Sequence, residues 1–378
     1  MGAAVLTASR TTHAHLAAAP IAAPTITVSP SDGTAAVAPA ALVTAHAADA
    51  TLTGIAVTAA DGTTLAGTLS ADGRTWTATA RPAYDTSYRF SGIATGPGGT
   101  TPVAGSFHTV APKHLVEASA PTITEDATVG VAAPIEVRFD RVLDDAGKVA
   151  AERALTVTTS APVQGSWGWL ADTEQGSRVH WRPKVYWPAH TQVTVRGEFA
   201  GRRLGAAGFG ANDLERSFTI GRSQIVKADV TSHRMIVVRD GRVVTDIPVS
   251  YGLESDPRRV TRSGVHVVTS KSATVFMTNR TFGYENVEMH WAVRISDNGE
   301  YIHANPASSY AQGKRNVTHG CVNLSTADAK AYFATALYGD PVEVTNSTVP
   351  LSKADGDIYD WAIPWAQWQS MSALGTYG

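Results

Sequence analysis

The chain is predicted to be mainly β, with two tandem immunoglobulin-like β-sandwiches, a third β-rich domain carrying one main helix, and a tryptophan-rich C-terminal tail. Three observations predict this. Only 17% of the 378 residues are charged, and Thr, Ala, Val, Gly and Ser abound, which favours strands joined by turns. Asp-Gly pairs punctuate the first hundred residues, and a tryptophan–proline–tyrosine pattern occurs twice. At this length two or three domains are expected, and a hydrophobic content of 43% is enough to fill their cores.

Residues 1–23, rich in His, Ala and Pro from Thr11 to Pro24, read as a flexible leader. From 24 to 112, short alternating runs are broken by Asp32-Gly33, Asp61-Gly62 and Asp72-Gly73. Such pairs supply the positive-φ turns that close β-hairpins. Ala111-Pro112-Lys113 reads as a linker, and a second all-β unit follows over 113–222. Trp76 is followed by Arg81-Pro82-Ala83-Tyr84, and Trp181 by Arg182-Pro183-Lys184-Val185-Tyr186, each leading into alternating strand sequence. Trp167, Trp169 and Trp187 suit either a sugar-stacking face or the core; core packing is the commoner use of such residues.

After Gly221 the texture changes, and a third domain is expected over 223–348. Met235–Val238 and Val243–Val249 form a hairpin around Asp240-Gly241. Val265–Thr269, Val287–Ile295, Tyr301–His303 and Val342–Val344 read as strands. One helix follows, with Ser325 and Asp328 as a capping box, Phe333 and Leu337 on one face, and Gly339 closing its end. In the tail, 349–378, Trp361, Trp365 and Trp368 are spaced to share a helical face, with Pro364 suited to a helix start. The tail is expected to fold back as a buttress between the third domain and the second sandwich.

A net charge of −2 gives no case for binding nucleic acid or an anionic surface. No apolar run approaches the roughly 20 residues of a transmembrane helix, and no metal or cofactor motif stands out. The chemistry concentrates at the one cysteine, Cys321, in Thr318-His319-Gly320-Cys321-Val322-Asn323, eighteen positions after His303. Three readings compete: a buried inert thiol with two satisfied histidines, a zinc site, and a nucleophile activated by an imidazole. His-Gly-Cys is a poor core sequence in a polar loop. The zinc reading lacks a second thiolate and the usual ligand spacing. Nucleophilic catalysis fits best.

The stretch from Tyr301-Ile302-His303-Ala304-Asn305-Pro306 to Thr318-His319-Gly320-Cys321-Val322-Asn323 resembles the signature of the L,D-transpeptidases, the YkuD family. The likeness extends to Trp291, Gly299 and the tail from Asp360 to Trp368. The tail is similar to that of mycobacterial and actinobacterial members, which place two immunoglobulin-like domains first. The resemblance implies a peptidoglycan transpeptidase that forms 3→3 cross-links through a cysteine thioester and releases the donor's terminal D-alanine. Its partners would be a tetrapeptide donor stem and a diamino-acid acceptor, with carbapenem-type β-lactams as inhibitors and no cofactor. An exported, membrane-anchored cell-wall or periplasmic enzyme follows from the same resemblance.

Carried over by position, Cys321 is the nucleophile, His303 the base, and His319 a second histidine shaping the site. The Ala304 carbonyl orients His303, Gly320 admits close approach around the oxyanion, and Asn323 orients substrate. Met277 and Tyr284 resemble a lid, and Gly299, Asn305 and Thr318 join the substrate-binding set. Tyr284 reads equally as a packed aromatic. Arg280, Lys314 and Arg315 suit a stem carboxylate or plain solvent, and Ala307 leaves the pocket wall more open. The alternatives are an L,D-carboxypeptidase, attachment of proteins to the wall, or a non-catalytic wall-binding module.

Overall fold

The computed structural model describes residues 21–356 and 358–375. The leader expected over 1–23 lies outside the described residues except for its last three positions. The chain divides after Pro112 into two compact units.

The first unit is a two-sheet sandwich. One sheet runs Thr25–Ser29, Thr44–Ala48, Thr75–Ala78, Gly67–Leu69. The other runs Thr34–Val37, Gly105–Thr109, Ser87–Gly96, Thr51–Ala59, with Thr34–Val37 parallel to Gly105–Thr109. Alternation buries Trp76, Tyr88, Phe90 and Phe107 between the sheets. Of the three Asp-Gly pairs, Asp72-Gly73 closes a true hairpin and Asp61-Gly62 a tight return within one sheet. Asp32-Gly33 does not, because the strands on either side of it belong to different sheets.

The second unit opens with another sandwich. Its sheets run Ala118–Ser119, Ile135–Phe139, Arg178–Pro183, Gly165–Trp169, and Ala127–Val129, Leu214–Ile220, Gln192–Gly197, Leu155–Thr159. The tryptophan repeat has a physical counterpart. A Cβ on Gly67 would lie 2.1 Å from the Trp76 ring, and one on Gly165 would lie 2.0 Å from the Trp181 ring. In both sandwiches a glycine on the neighbouring strand therefore makes room for the indole. The expectation of an all-β second unit needs correction: Asp145–Ala154 is a helix, α1, capped by the Asp144 side chain on the Gly147 N–H. Four of its ten residues are Ala, with Lys148, Glu152 and Arg153 among the rest, a composition of good helix propensity. Trp167, Trp169 and Trp187 are buried in the core of this sandwich, so they offer no sugar-stacking face.

The third region contains nine strands in chain order: β1 (Gln224–Asp229), β2 (Arg234–Arg239), β3 (Arg242–Pro248), β4 (Gly264–Val267), β5 (Ser270–Asn279), β6 (Tyr284–Arg294), β7 (Tyr301–Ala304), β8 (Val322–Leu324) and β9 (Pro341–Thr345). One sheet is ordered β3-β2-β1-β9-β4 and the other β5-β6-β7-β8. Helix α2 (Thr326–Thr335) packs on β6 and β7. Ser325 caps it through the Asp328 N–H and also donates to the Asp328 carboxylate. The helix ends earlier than the sequence suggests. Lys271 donates to the Phe333 and Ala336 carbonyls, so Leu337 lies beyond the helix. Gly339 instead passes against Ala133 of the second sandwich.

The tail crosses from this region to the second sandwich. Helix α3 (Trp365–Gln369) starts after Pro364. The Arg182 guanidinium lies 4.7, 5.3 and 5.0 Å from the rings of Trp361, Trp365 and Trp368. Asp360, fully buried, meets His180 at 3.0 Å. Among the described residues no helix is long and apolar enough to cross a membrane.

Candidate active site

Strand parity builds the site. Strands β7 and β8 pair in parallel, Ile302 with Val322, His303 with Asn323, Ala304 with Leu324. Ile302, Ala304, Val322 and Leu324 all enter the apolar core. Because side chains alternate, His303, Asn323 and the preceding Cys321 emerge on the opposite face. There they line one cavity of about 300 Å³, with Met277, Tyr284, Asn305, Thr318 and His319 around them. Larger depressions exist on the sandwiches, but they contain neither a thiol nor a matched base.

His303 is buried, 2% exposed, and its Nδ1 lies 2.9 Å from the Ala304 carbonyl. A carbonyl only accepts, so Nδ1 carries the proton and Nε2 keeps its lone pair. Burial lowers this histidine to about 4, with the Ala304 bond opposing in part. Cys321 keeps some accessible surface, yet its sulfur is closely surrounded. Burial pushes the thiol up to about 12, a backbone contact with Tyr301 opposing and the Glu300 carboxylate adding. Both shifts favour the neutral forms near pH 7, and the thiol donates to the Gly299 carbonyl at 3.7 Å.

The loop carrying Cys321 is fastened from several sides. Thr318 Oγ1 donates to the Cys321 carbonyl at 2.6 Å and accepts from the Gly320 N–H. Thr261 donates to the Gly320 carbonyl at 2.8 Å, and Arg259 holds the carbonyls of Val317 and Thr318. Gly320 has φ +113, a conformation that disfavours any side chain. Since its own N–H is engaged, the donors left for an oxyanion are those of its neighbours.

The β5–β6 hairpin overhangs this loop. Phe282 and Tyr284 approach the His319 ring at 4.8 and 5.4 Å. Arg258 and Arg259 stand over the Phe282 ring at 5.5 and 5.9 Å. Burial lowers His319 below the usual imidazole range; Arg259 adds to this and Asp256 opposes it. Asn323 is buried, its Nδ2 bonds Ser308 at 3.3 Å, and its Oδ1 has no protein partner.

The structure thus brings Cys321, His303, His319, Asn323, Tyr284, Met277, Asn305 and Thr318 to one cavity. Gly299 and Ala304 take part through their carbonyls, and Gly320 lies behind the wall. Ala307 lines the cavity. Arg280 is paired with Glu285 at 2.6 Å, and Arg315 stacks on Tyr310 at 4.8 Å. Sequence reasoning did not find Thr261, Arg259, Phe282, Ser308 or Glu300. Each acts through contacts distant in sequence.

Comparisons with known proteins point to one family. Residues 223–344 match the L,D-transpeptidase catalytic domain family, and residues 34–203 match a bacterial Ig domain. L,D-transpeptidase 5 of Mycobacterium tuberculosis is 49% identical over 356 residues, covering 94% of this chain and 78% of the relative. L,D-transpeptidase 2 of the same species is 34% identical over 359 residues, covering 93% and 85%. A solved L,D-transpeptidase, LdtMt1 in complex with imipenem, superposes with a TM-score of 0.51 at 33% identity, covering 61% of this chain and all of that one.

Proposed function

The chain belongs to the L,D-transpeptidase family, and from that premise we propose how its own residues divide the reaction. It is a cysteine-dependent acyltransferase that cross-links peptidoglycan. Cys321 Sγ attacks the carbonyl carbon between the third residue of a donor tetrapeptide and its terminal D-alanine. His303 Nε2 takes the thiol proton as the S–C bond forms and returns it to the leaving amine as the C–N bond breaks. D-Alanine departs, leaving a thioester. The side-chain amine of a second stem's third residue then attacks, a new C–N bond forms, and the sulfur leaves with a proton restored through His303.

The observation that carries this reading is that a buried imidazole, its Nδ1 bonded to the Ala304 carbonyl, and the chain's one thiol emerge on the same sheet face into one cavity. Burial disfavours both the imidazolium and the thiolate, so on this reading the proton moves to His303 as the sulfur attacks the donor. Backbone N–H groups beside Gly320 stabilise the tetrahedral oxyanion, a contribution of about 3–4 kcal/mol where one such donor has been removed. His319 and Asn323 shape and orient, Tyr284 and Met277 cover the donor, and Asn305 and Thr318 complete the wall. The first sandwich, 24–112, serves as a spacer, and the second, 113–222, is the packing partner of the domain at 223–348, with 349–378 as its brace. The enzyme works at the cell wall, outside the cytoplasmic membrane. Carbapenems, of which imipenem is seen with a relative, acylate the same sulfur.

Incubation with disaccharide-tetrapeptide should yield a cross-linked dimer and free D-alanine by mass spectrometry. Imipenem should add one equivalent of mass to the wild type and none to Cys321→Ala. Folded protein that gives neither dimer nor adduct would refute the assignment.

A further inference from the structure

We propose that Asp355, a tail residue far in sequence from the cavity, is a positioning residue for the Cys321 thiol. The inference rests on Cys321 being the nucleophile.

The link runs through the turn between β6 and β7, Ser296 to Glu300. This turn presents the Gly299 carbonyl to which the thiol donates at 3.7 Å. Two buried carboxylates hold the rest of this turn. Glu300, 3% exposed, accepts from the Ser296 hydroxyl at 3.0 Å and from the Arg262 N–H at 3.1 Å. It also faces the Arg262 guanidinium at 3.4 Å and His266 at 3.5 Å.

Asp355, 5% exposed, grips the same turn from the tail. Its Oδ1 meets Arg262 Nε at 2.5 Å and accepts from Asn298 Nδ2 at 3.1 Å. Its backbone carbonyl accepts from the Asp297 N–H at 3.1 Å. Ser352 anchors the other oxygen, Oδ2, through its N–H at 2.8 Å. Asp355 thus touches Asp297 and Asn298, the two residues before Gly299, and it shares Arg262 with Glu300. The arrangement transmits tail position to a single backbone oxygen beside the sulfur.

Loosening the turn would move this carbonyl and admit water to the thiol. Two reactions of Cys321 should then respond in opposite directions. Acylation by imipenem needs a placed sulfur and should slow by roughly tenfold, since a misplacement of about 1 Å can cost more than that. Alkylation by iodoacetamide needs only thiolate. It should quicken by roughly three- to tenfold at pH 8, because rehydration returns a buried thiol toward its ordinary ionisation. The burial and the Glu300 charge that hold the thiol high are consistent with that direction.

The test measures both rates in the full chain for Asp355→Ala, alongside melting temperature. Asp355→Asn, which retains an Oδ1 acceptor, should recover much of the wild-type behaviour. Should Asp355→Ala fail to fold, Asn298→Ala cuts one limb of the link and carries the same expectation at smaller size. Opposite changes in the two rates support the inference. Unchanged rates with a lowered melting temperature, or rates that move together, overturn it and reduce Asp355 to a structural contact. An imipenem adduct surviving in Cys321→Ala would instead remove the underlying assignment.

Discussion

Two histidines of the second unit are buried almost equally and do opposite things. His303, behind the cavity, is 2% exposed, and His180, under the tail, is fully buried. In each, Nδ1 meets an oxygen at about the same distance, the Ala304 carbonyl at 2.9 Å and the Asp360 carboxylate at 3.0 Å. A carbonyl offers a dipole, whereas a carboxylate offers a full charge, and Glu136 adds a second 3.7 Å from His180 Nε2. Burial therefore lowers His303 to about 4. Burial also opposes the charge on His180, but Asp360 and Glu136 overcome it and raise that imidazole to about 9. Enclosure alone does not set a histidine's role. The charge of its neighbours decides whether it is a base or a fixed cation.

The largest effect that would break this comparison is at His303. His303→Ala should slow imipenem acylation by about 10²–10⁴-fold, the usual worth of a general base. Its pH profile should change as well. With a base near 4 and a thiol near 12, the wild-type rate should be flat from roughly pH 5 to 9, because His303 takes the proton as the bond forms. The variant, relying on free thiolate, should instead climb about tenfold per pH unit. A wild type that climbs in the same way would show that His303 is not the base.

At His180 the same logic predicts a loss of stability without a change of mechanism. Asp360→Ala would leave a buried cation without its main partner, and breaking such a pair costs about 3–5 kcal/mol. Urea unfolding should show that loss, while the folded variant keeps a flat acylation profile between pH 5 and 9. Equal stability would mean that the ion pair contributes nothing beyond its shape.

Much of the catalytic face was legible in the sequence, because its information is local. Alternation across Ile302 to Ala304 and Val322 to Leu324 fixes which side chains face the core, and the His-Gly-Cys run names the chemistry. The charge states were not legible. Nothing near His180 announces Asp360, 180 residues away, and nothing near Gly299 announces Asp355. Helix α1 was missed for a different reason. The β-rich composition around Asp145–Ala154 hides a stretch with four Ala, Lys148, Glu152 and Arg153 behind the Asp144 cap, and local propensity prevails there. Asp32-Gly33 shows the converse. The turn chemistry is correct, but the two strands part to different sheets, a decision made by sandwich topology rather than by the turn.

A smaller effect sharpens the comparison through pH. His180 is raised in the folded state relative to an unperturbed value of about 6.5. A raised imidazole contributes stability that is complete below the unfolded value and is lost as pH rises through about 9. Calorimetry from pH 6 to 10 should therefore show the melting temperature of the second unit falling, by roughly 2–4 °C for each kcal/mol lost. In Asp360→Asn that decline should flatten, since the partner carries no charge. A wild-type melting temperature that holds to pH 10 would mean His180 is neutral, and the contrast with His303 would vanish.

The smallest effect concerns the cover of the cavity, where contacts are aromatic rather than ionic. Tyr284 places its ring 5.4 Å from His319, beside Phe282, and burial raises its phenol, with the nearby Cys321 adding. A phenol held protonated can act as a hydrogen-bond donor to an oxyanion, or the ring can simply pack on His319. These separate cleanly. Tyr284→Phe keeps the ring and removes the hydroxyl; Tyr284→Ala removes both. Packing predicts a change of no more than about threefold in acylation for the phenylalanine variant and roughly tenfold for alanine, in line with loss of an ordered wall. A lost oxyanion donor would cost about 10²–10³-fold already in the phenylalanine variant, and at least as much in the alanine one. The ring contacts favour the first outcome. On that outcome His303 alone supplies the proton chemistry of the cavity, and the lid works by shape.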